Sequence, residues 1–177
     1  MRGKRKGRIA LSLFMALLLT LSVTACGKSY EAITKDSFAK AVSAEKFSVT
    51  DQSSMIKDDS NLEVVYLAQP KDKKDTKESD EKNIFSGQYQ VEYYKFDTAD
   101  SCEKSYDKID DELVSTYKSA DGYKTTDKSS GDYAKRVVDT KERHYVVMRV
   151  KDSLVIAISP ADKADTIDKI VDSLTVA

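Results

Sequence analysis

The sequence predicts an α+β domain in which an antiparallel sheet of five to six strands is packed by amphipathic helices. Three observations carry that expectation. Apolar residues recur at helical spacing in three separate segments, and runs of alternating or β-branched residues lie between them. The last three of those runs follow one another too closely for parallel crossovers, so they read as an antiparallel meander. The predicted order is helix, two or three strands, helix, three strands, helix.

Thr34 is positioned as the N-cap of the first helix, with Asp36 in its first turn and Phe38, Ala41 and Val42 on one face. A weak strand follows at Lys46–Thr50 and a stronger one at Asn61–Ala68, which is rich in Val, Leu and Tyr. Residues 69–83 are almost wholly polar, with both charge signs interleaved, and are expected to form a solvated, mobile loop. In Ser86–Phe96, Tyr89, Val91 and Tyr93 alternate with Gln88, Gln90 and Glu92. Aromatic residues fall on both sides of this strand. Tyr89, Tyr93, Tyr94 and Phe96 are therefore candidates for a binding surface if the sheet is covered on one side, and core residues if it is covered on both.

The second helix starts near Thr98 and carries Cys102, Tyr106, Ile109, Leu113 and Tyr117 on one stripe. Asp121-Gly122 ends it, and residues 119–131 are expected to be a polar loop. Three strands are then predicted at Tyr133–Val138, His144–Val150 and Leu154–Ile158. Ser159 is placed as the N-cap of the last helix, with Pro160 at its first position and Asp162 at its third. Its apolar face is Ala164, Ile167, Ile170, Val171 and Leu174. The pattern T-x-D-S-x-x-K occurs at Thr34–Lys40 and again at Thr98–Lys104. It fits an internal duplication, and it equally fits two unrelated helix starts that share the same capping chemistry.

The N-terminus has a different character. Five of the first eight residues are basic, no acid occurs in residues 1–25, and Ile9–Leu21 is almost continuously apolar. A basic head followed by an apolar run of this length is a secretory signal. It ends in Val23, Thr24, Ala25, Cys26 and Gly27, which resembles the lipobox of bacterial lipoproteins. The resemblance covers residues 1–27. It implies that a signal peptidase recognises Val23, Thr24, Ala25 and Gly27, cuts after Ala25, and leaves Cys26 carrying a diacylglyceryl group. Residues 1–25 are then the signal peptide, 26–33 a lipidated tether and 34–177 a single domain on the outer face of the membrane. Gly27–Ile33 could span about 25 Å if fully extended.

Composition narrows the function classes. With the five basic residues of the leader set aside, 24 basic and 30 acidic residues leave a net charge of −6. That balance argues against nucleic acid as a partner and against a basic face on anionic lipid, which leaves the lipid on Cys26 as the membrane attachment. Once Cys26 is consumed, Cys102 is the single remaining cysteine and has no partner for an intramolecular disulfide.

Catalytic signatures are absent. There is no HExxH, CxxC, Walker A or GxGxxG pattern, and the one histidine, His144, lies within a predicted strand. The acids Asp107, Asp110, Asp111 and Glu112 lie on a helix, and Asp162, Asp165, Asp168 and Asp172 form a solvated helix face, so no calcium loop is predicted. No metal and no cofactor is expected. The expectation is a non-enzymatic, membrane-anchored module that binds a protein, peptide or small ligand. Two alternatives are an inhibitor or self-protection lipoprotein acting near the membrane, and a hydrolase that works without histidine.

Overall fold

The computed structural model describes residues 30–57, 60–72 and 89–175. In chain order the elements are α1 Lys35–Ala44, β1 Phe47–Asp51, a 3-10 turn Ser53–Met55, β2 Leu62–Pro70 and β3 Gln90–Phe96. They continue with α2 Ala99–Tyr117, β4 Lys124–Ser130, β5 Tyr133–Asp139, β6 Arg143–Val150 and β7 Ser153–Pro160. A second 3-10 turn, Ala161–Lys163, leads into α3 Ala164–Ser173. The class is α+β, as the sequence predicts.

All seven strands form one antiparallel sheet in the order β1-β2-β3-β7-β6-β5-β4. This exceeds the predicted five to six strands because β4 falls inside the expected polar loop 119–131. Every residue of β4 is exposed, so it carries no apolar alternation to reveal it. Its backbone pairs with β5 over seven residues, and its Lys, Asp, Ser and Thr side chains suit an edge strand that must not attract further strands. The turn before β4 needs Gly122, whose φ is +73° and whose missing Cβ would sit 2.9 Å from the Lys141 amide.

Both faces of the sheet are covered. On the first face, α1 and α3 pack over Tyr66, Val91, Tyr93, Val146, Met148 and Val155. On the second, α2 lays Cys102, Tyr106 and Leu113 over Phe96, Val147, Leu154 and Ile156. The predicted α2 stripe is correct, with Ile109 and Tyr117 packed at its margin.

Both early helices begin as predicted. Thr34 Oγ1 accepts from the Ser37 amide at 3.1 Å, and Ser37 Oγ accepts from the Thr34 amide at 2.9 Å, which closes a capping box. Thr98 Oγ1 accepts from the Ser101 amide at 3.1 Å.

The start of the last helix differs from prediction. Ser159 is a buried residue of β7, opposite His144, because pairing with β6 continues to Arg143↔Pro160. The helix enters through the 3-10 turn and has no side-chain cap. The expected loop 69–83 also starts later, since β2 runs to Pro70; residues 73–83 lie outside the described residues.

The T-x-D-S-x-x-K pattern opens both α1 and α2, each with a Thr cap, and the two helices lie on opposite faces of the sheet.

Candidate functional site

The first candidate region is where the chain enters the fold. Residues 30–33, expected as tether, are part of the domain. The Tyr30 ring stacks on Tyr133 with centroids 4.2 Å apart, and Ile33 is buried. The Ile33 carbonyl accepts hydrogen bonds from Tyr93 Oη at 2.8 Å and Ser153 Oγ at 3.2 Å. The segment thus crosses from β5 to β3 and β7 before α1 begins. A groove of about 320 Å³ opens beside it, lined by Tyr30, Thr126, Lys128, Tyr133, Lys135 and Asp172 among others. Lys128 and Lys135 face each other across β4 and β5, and Lys135 is paired with Asp172 at 3.0 Å. Cys26, with Val23, Thr24, Ala25 and Gly27, lies outside the described residues.

The second region is the aromatic strand β3 and the residue before it. Tyr89 and Tyr93 are buried in the first core and Phe96 in the second. Three of the four candidate surface residues are therefore core, because helices cover both sides of this strand. Tyr94 remains half-buried on the second face. There its hydroxyl and the Gln90 side-chain amide both donate to Glu92. Glu92 lies between Leu67 and Ile156 on neighbouring strands. Burial pushes its carboxyl above the ordinary carboxylate range, and burial, with the adjacent Glu92 charge, pushes the Tyr94 phenol up.

His144 lies at the opposite end of the sheet, buried beneath α3. Its Nδ1 is 2.7 Å from Asp139 Oδ1, and its Nε2 is 3.3 Å from Asp168 Oδ1 without hydrogen-bond geometry. Ser159 Oγ, on the paired residue of β7, is likewise buried without a partner in the fold. Serine, histidine and aspartate are thus neighbours, but the serine hydroxyl and the ring are both closed to solvent. Cys102 is buried on α2, and burial pushes its thiol up to about 12, far from a thiolate at neutral pH. Of the acids noted on α2, Asp110 is held by Arg136 through Nε at 2.7 Å and Nη2 at 3.0 Å. Among the described residues no group of three or more His, Cys, Asp or Glu side chains could hold a metal ion.

A fourth region is not foreseen by the sequence patterns above. Gln52, Met55, Ile56, Lys57, Ser60, Leu62 and Val65 line an open recess of about 370 Å³ beside β2. Met55 is 75% exposed and is the exposed large hydrophobic residue among those described. The sequence signal for it is the pair Met55-Ile56 in an otherwise polar connection. The signal for the docked N-terminal segment is Tyr30 and Ile33 in an otherwise polar tether.

No family model matches the chain, and no curated protein matches it. Among solved structures, a GTP binding regulator from Thermotoga maritima is similar over 80% of this chain and 84% of its own, with a TM-score of 0.42 and 10% sequence identity. Among the described residues no helix is long and apolar enough to cross a membrane.

Proposed function

We propose that the chain is an extracytoplasmic lipoprotein, held by lipid on Cys26, whose domain acts by binding and not by catalysis. The observation that carries the reading is the junction between lipobox and fold. With Tyr30–Ile33 bonded into the domain, the residues left between Cys26 and the fold are Gly27, Lys28 and Ser29. Four Cα steps from Cys26 to Tyr30 span at most about 15 Å. The domain is thereby kept against the headgroups, where it would meet membrane-proximal partners.

The chemistry-bearing side chains support binding over catalysis. His144 is buried between the half-exposed carboxylates of Asp139 and Asp168, the Cys102 thiol is held protonated in a core, and Glu92 is occupied by Tyr94 and Gln90. The groove beside Tyr30 offers hydroxyls, lysines and two stacked rings to a protein, peptide or small ligand near the membrane.

Fractionation tests the anchor. The wild-type chain should sediment with membranes and carry an acyl mass increment, and Cys26→Ser should appear as a folded soluble protein. Retention of Cys26→Ser in the membrane fraction would refute the anchor. Cross-linking in intact cells tests the binding role, with capture lost on Lys128→Glu as the expected result. Turnover of a substrate by the purified domain would overturn the non-enzymatic reading.

A further inference from the structure

We infer that the recess around Met55 is a second membrane contact, in which Met55 and Ile56 sit among lipid headgroups and upper acyl chains beside the anchor. The inference rests on lipidation of Cys26. Its own evidence is the placement of the recess. The register aligns Leu62, Phe96, Ser153, Val150, Tyr133 and Ser130 along one end of the sheet. Tyr30, the point where the chain leaves toward Cys26, stacks on Tyr133 at this end. The recess lies against Leu62 at the same end, on β2.

From β5 to β2 is four strand spacings, about 19 Å, and the tether reaches at most about 15 Å. The end of the sheet that bears Met55, the exposed large hydrophobic residue among those described, is therefore the end pulled toward the bilayer. A single exposed apolar residue is ordinary on any surface. Met55 differs in having Ile56, Leu62 and Val65 beside it, which gives a patch with depth.

The contact is apolar in character. Lys57, Lys95 and Lys151 share this end with Asp51, Asp97, Asp132 and Asp152, Lys95 is ion-paired with Asp152, and Asp58 and Asp59 follow Lys57 in sequence, so the end has no basic excess that would select anionic lipid. Anionic lipid is therefore not required, and phosphatidylcholine alone is the probe.

The chain contains no tryptophan, so Met55→Trp introduces a single emitter at the patch and Lys141→Trp places one at the opposite end of the sheet. Each lipidated full-length variant would be reconstituted into phosphatidylcholine vesicles with and without brominated acyl chains. The expected result is a blue-shifted Met55→Trp emission that loses intensity in brominated vesicles, with neither change for Lys141→Trp. Vesicle-bound protein whose Met55→Trp emission stays red and unquenched would overturn the contact while leaving the anchor intact. A blue shift without bromine quenching would assign the patch to a protein surface and would also overturn it. Protein that carries no acyl group and does not float with vesicles would overturn the anchor and the contact together. Tryptophan itself favours interfaces, so a second measurement uses Met55→Asp. In vesicle-bound protein Lys57 should react faster with a water-soluble amine reagent in Met55→Asp than in wild type, and equal rates would overturn the inference.

Discussion

On one face of the sheet two ten-residue helices and the segment Tyr30–Ile33 press a cluster of aromatic rings together, whereas on the other a single nineteen-residue helix lies over Val, Leu and Ile residues, with Tyr117 stacked on Tyr145 and two arginines at the flanks. On the first face Phe38 stacks on Tyr93 at 5.2 Å, and Tyr66 and Tyr93 lie 6.0 Å apart. On the second, Arg136 reaches Asp110, and the buried Arg149 reaches the Gly131 carbonyl at 3.1 Å. The difference follows from dimensions. Seven strands make a sheet about 29 Å wide, while one helix with its side chains is about 10 Å across. Two short helices and a docked segment can fill that width with rings. One helix leaves flanks, and arginines cover such flanks with their aliphatic stems while their heads find partners.

Substitutions at four positions would break or sharpen this contrast, beginning with the largest effect. Phe38→Ala removes a fully buried ring from the first face and should cost about 3–5 kcal/mol in urea unfolding. Leu113→Ala on the second face should cost about 2–4 kcal/mol; equal losses would show that the rings add nothing beyond their volume. Arg136→Ala should cost about 2 kcal/mol by stranding the half-buried Asp110, and Arg136→Met should recover part of it through its stem. A Met variant no better than Ala would mean the stem does not contribute. Tyr93→Phe should cost about 1 kcal/mol by removing the hydrogen bond to Ile33 while Ser153 still donates, measured by thermal unfolding.

Glu92→Gln should change pH dependence more than absolute stability. The folded carboxyl titrates above its unfolded value, so its favourable contribution is present below the unfolded pKa and fades as pH rises through the folded one. Wild type should therefore lose stability from mildly acidic to neutral pH relative to Glu92→Gln. Parallel profiles for the two proteins would show that Glu92 is not desolvated.

Much of the fold is legible in the sequence, and the exceptions share a cause. The α2 stripe can be read because one-sided burial imposes a helical apolar period, and β6 and β7 because burial on both faces makes them nearly continuous apolar runs joined by short turns. β4 cannot, because an edge strand exposed on both sides carries no apolar period; backbone pairing with β5 and polar contacts such as Thr125 Oγ1 to the Val137 carbonyl hold it instead. Ser159 satisfies every local rule for a helix cap, yet it is consumed by strand pairing with His144, a tertiary effect that outranks the local preference. The aromatic strand is visibly two-sided in sequence, but periodicity alone does not say whether both sides are covered. Tyr30 and Ile33 escape a pattern reading because two apolar residues in a short polar stretch carry no period.

The bond between the Ile33 carbonyl and Ser153 joins residues 120 positions apart, and β3 waits for β7 as its second neighbour. Such contacts give the fold a high contact order, which slows its formation. As the chain is synthesised, β1, β2 and β3 emerge with one edge of β3 open, and the order of assembly has to end near the C-terminus. For a chain that leaves the cytoplasm, as the lipoprotein reading above requires, that order is useful: the half made first cannot complete its sheet until the half made last has arrived.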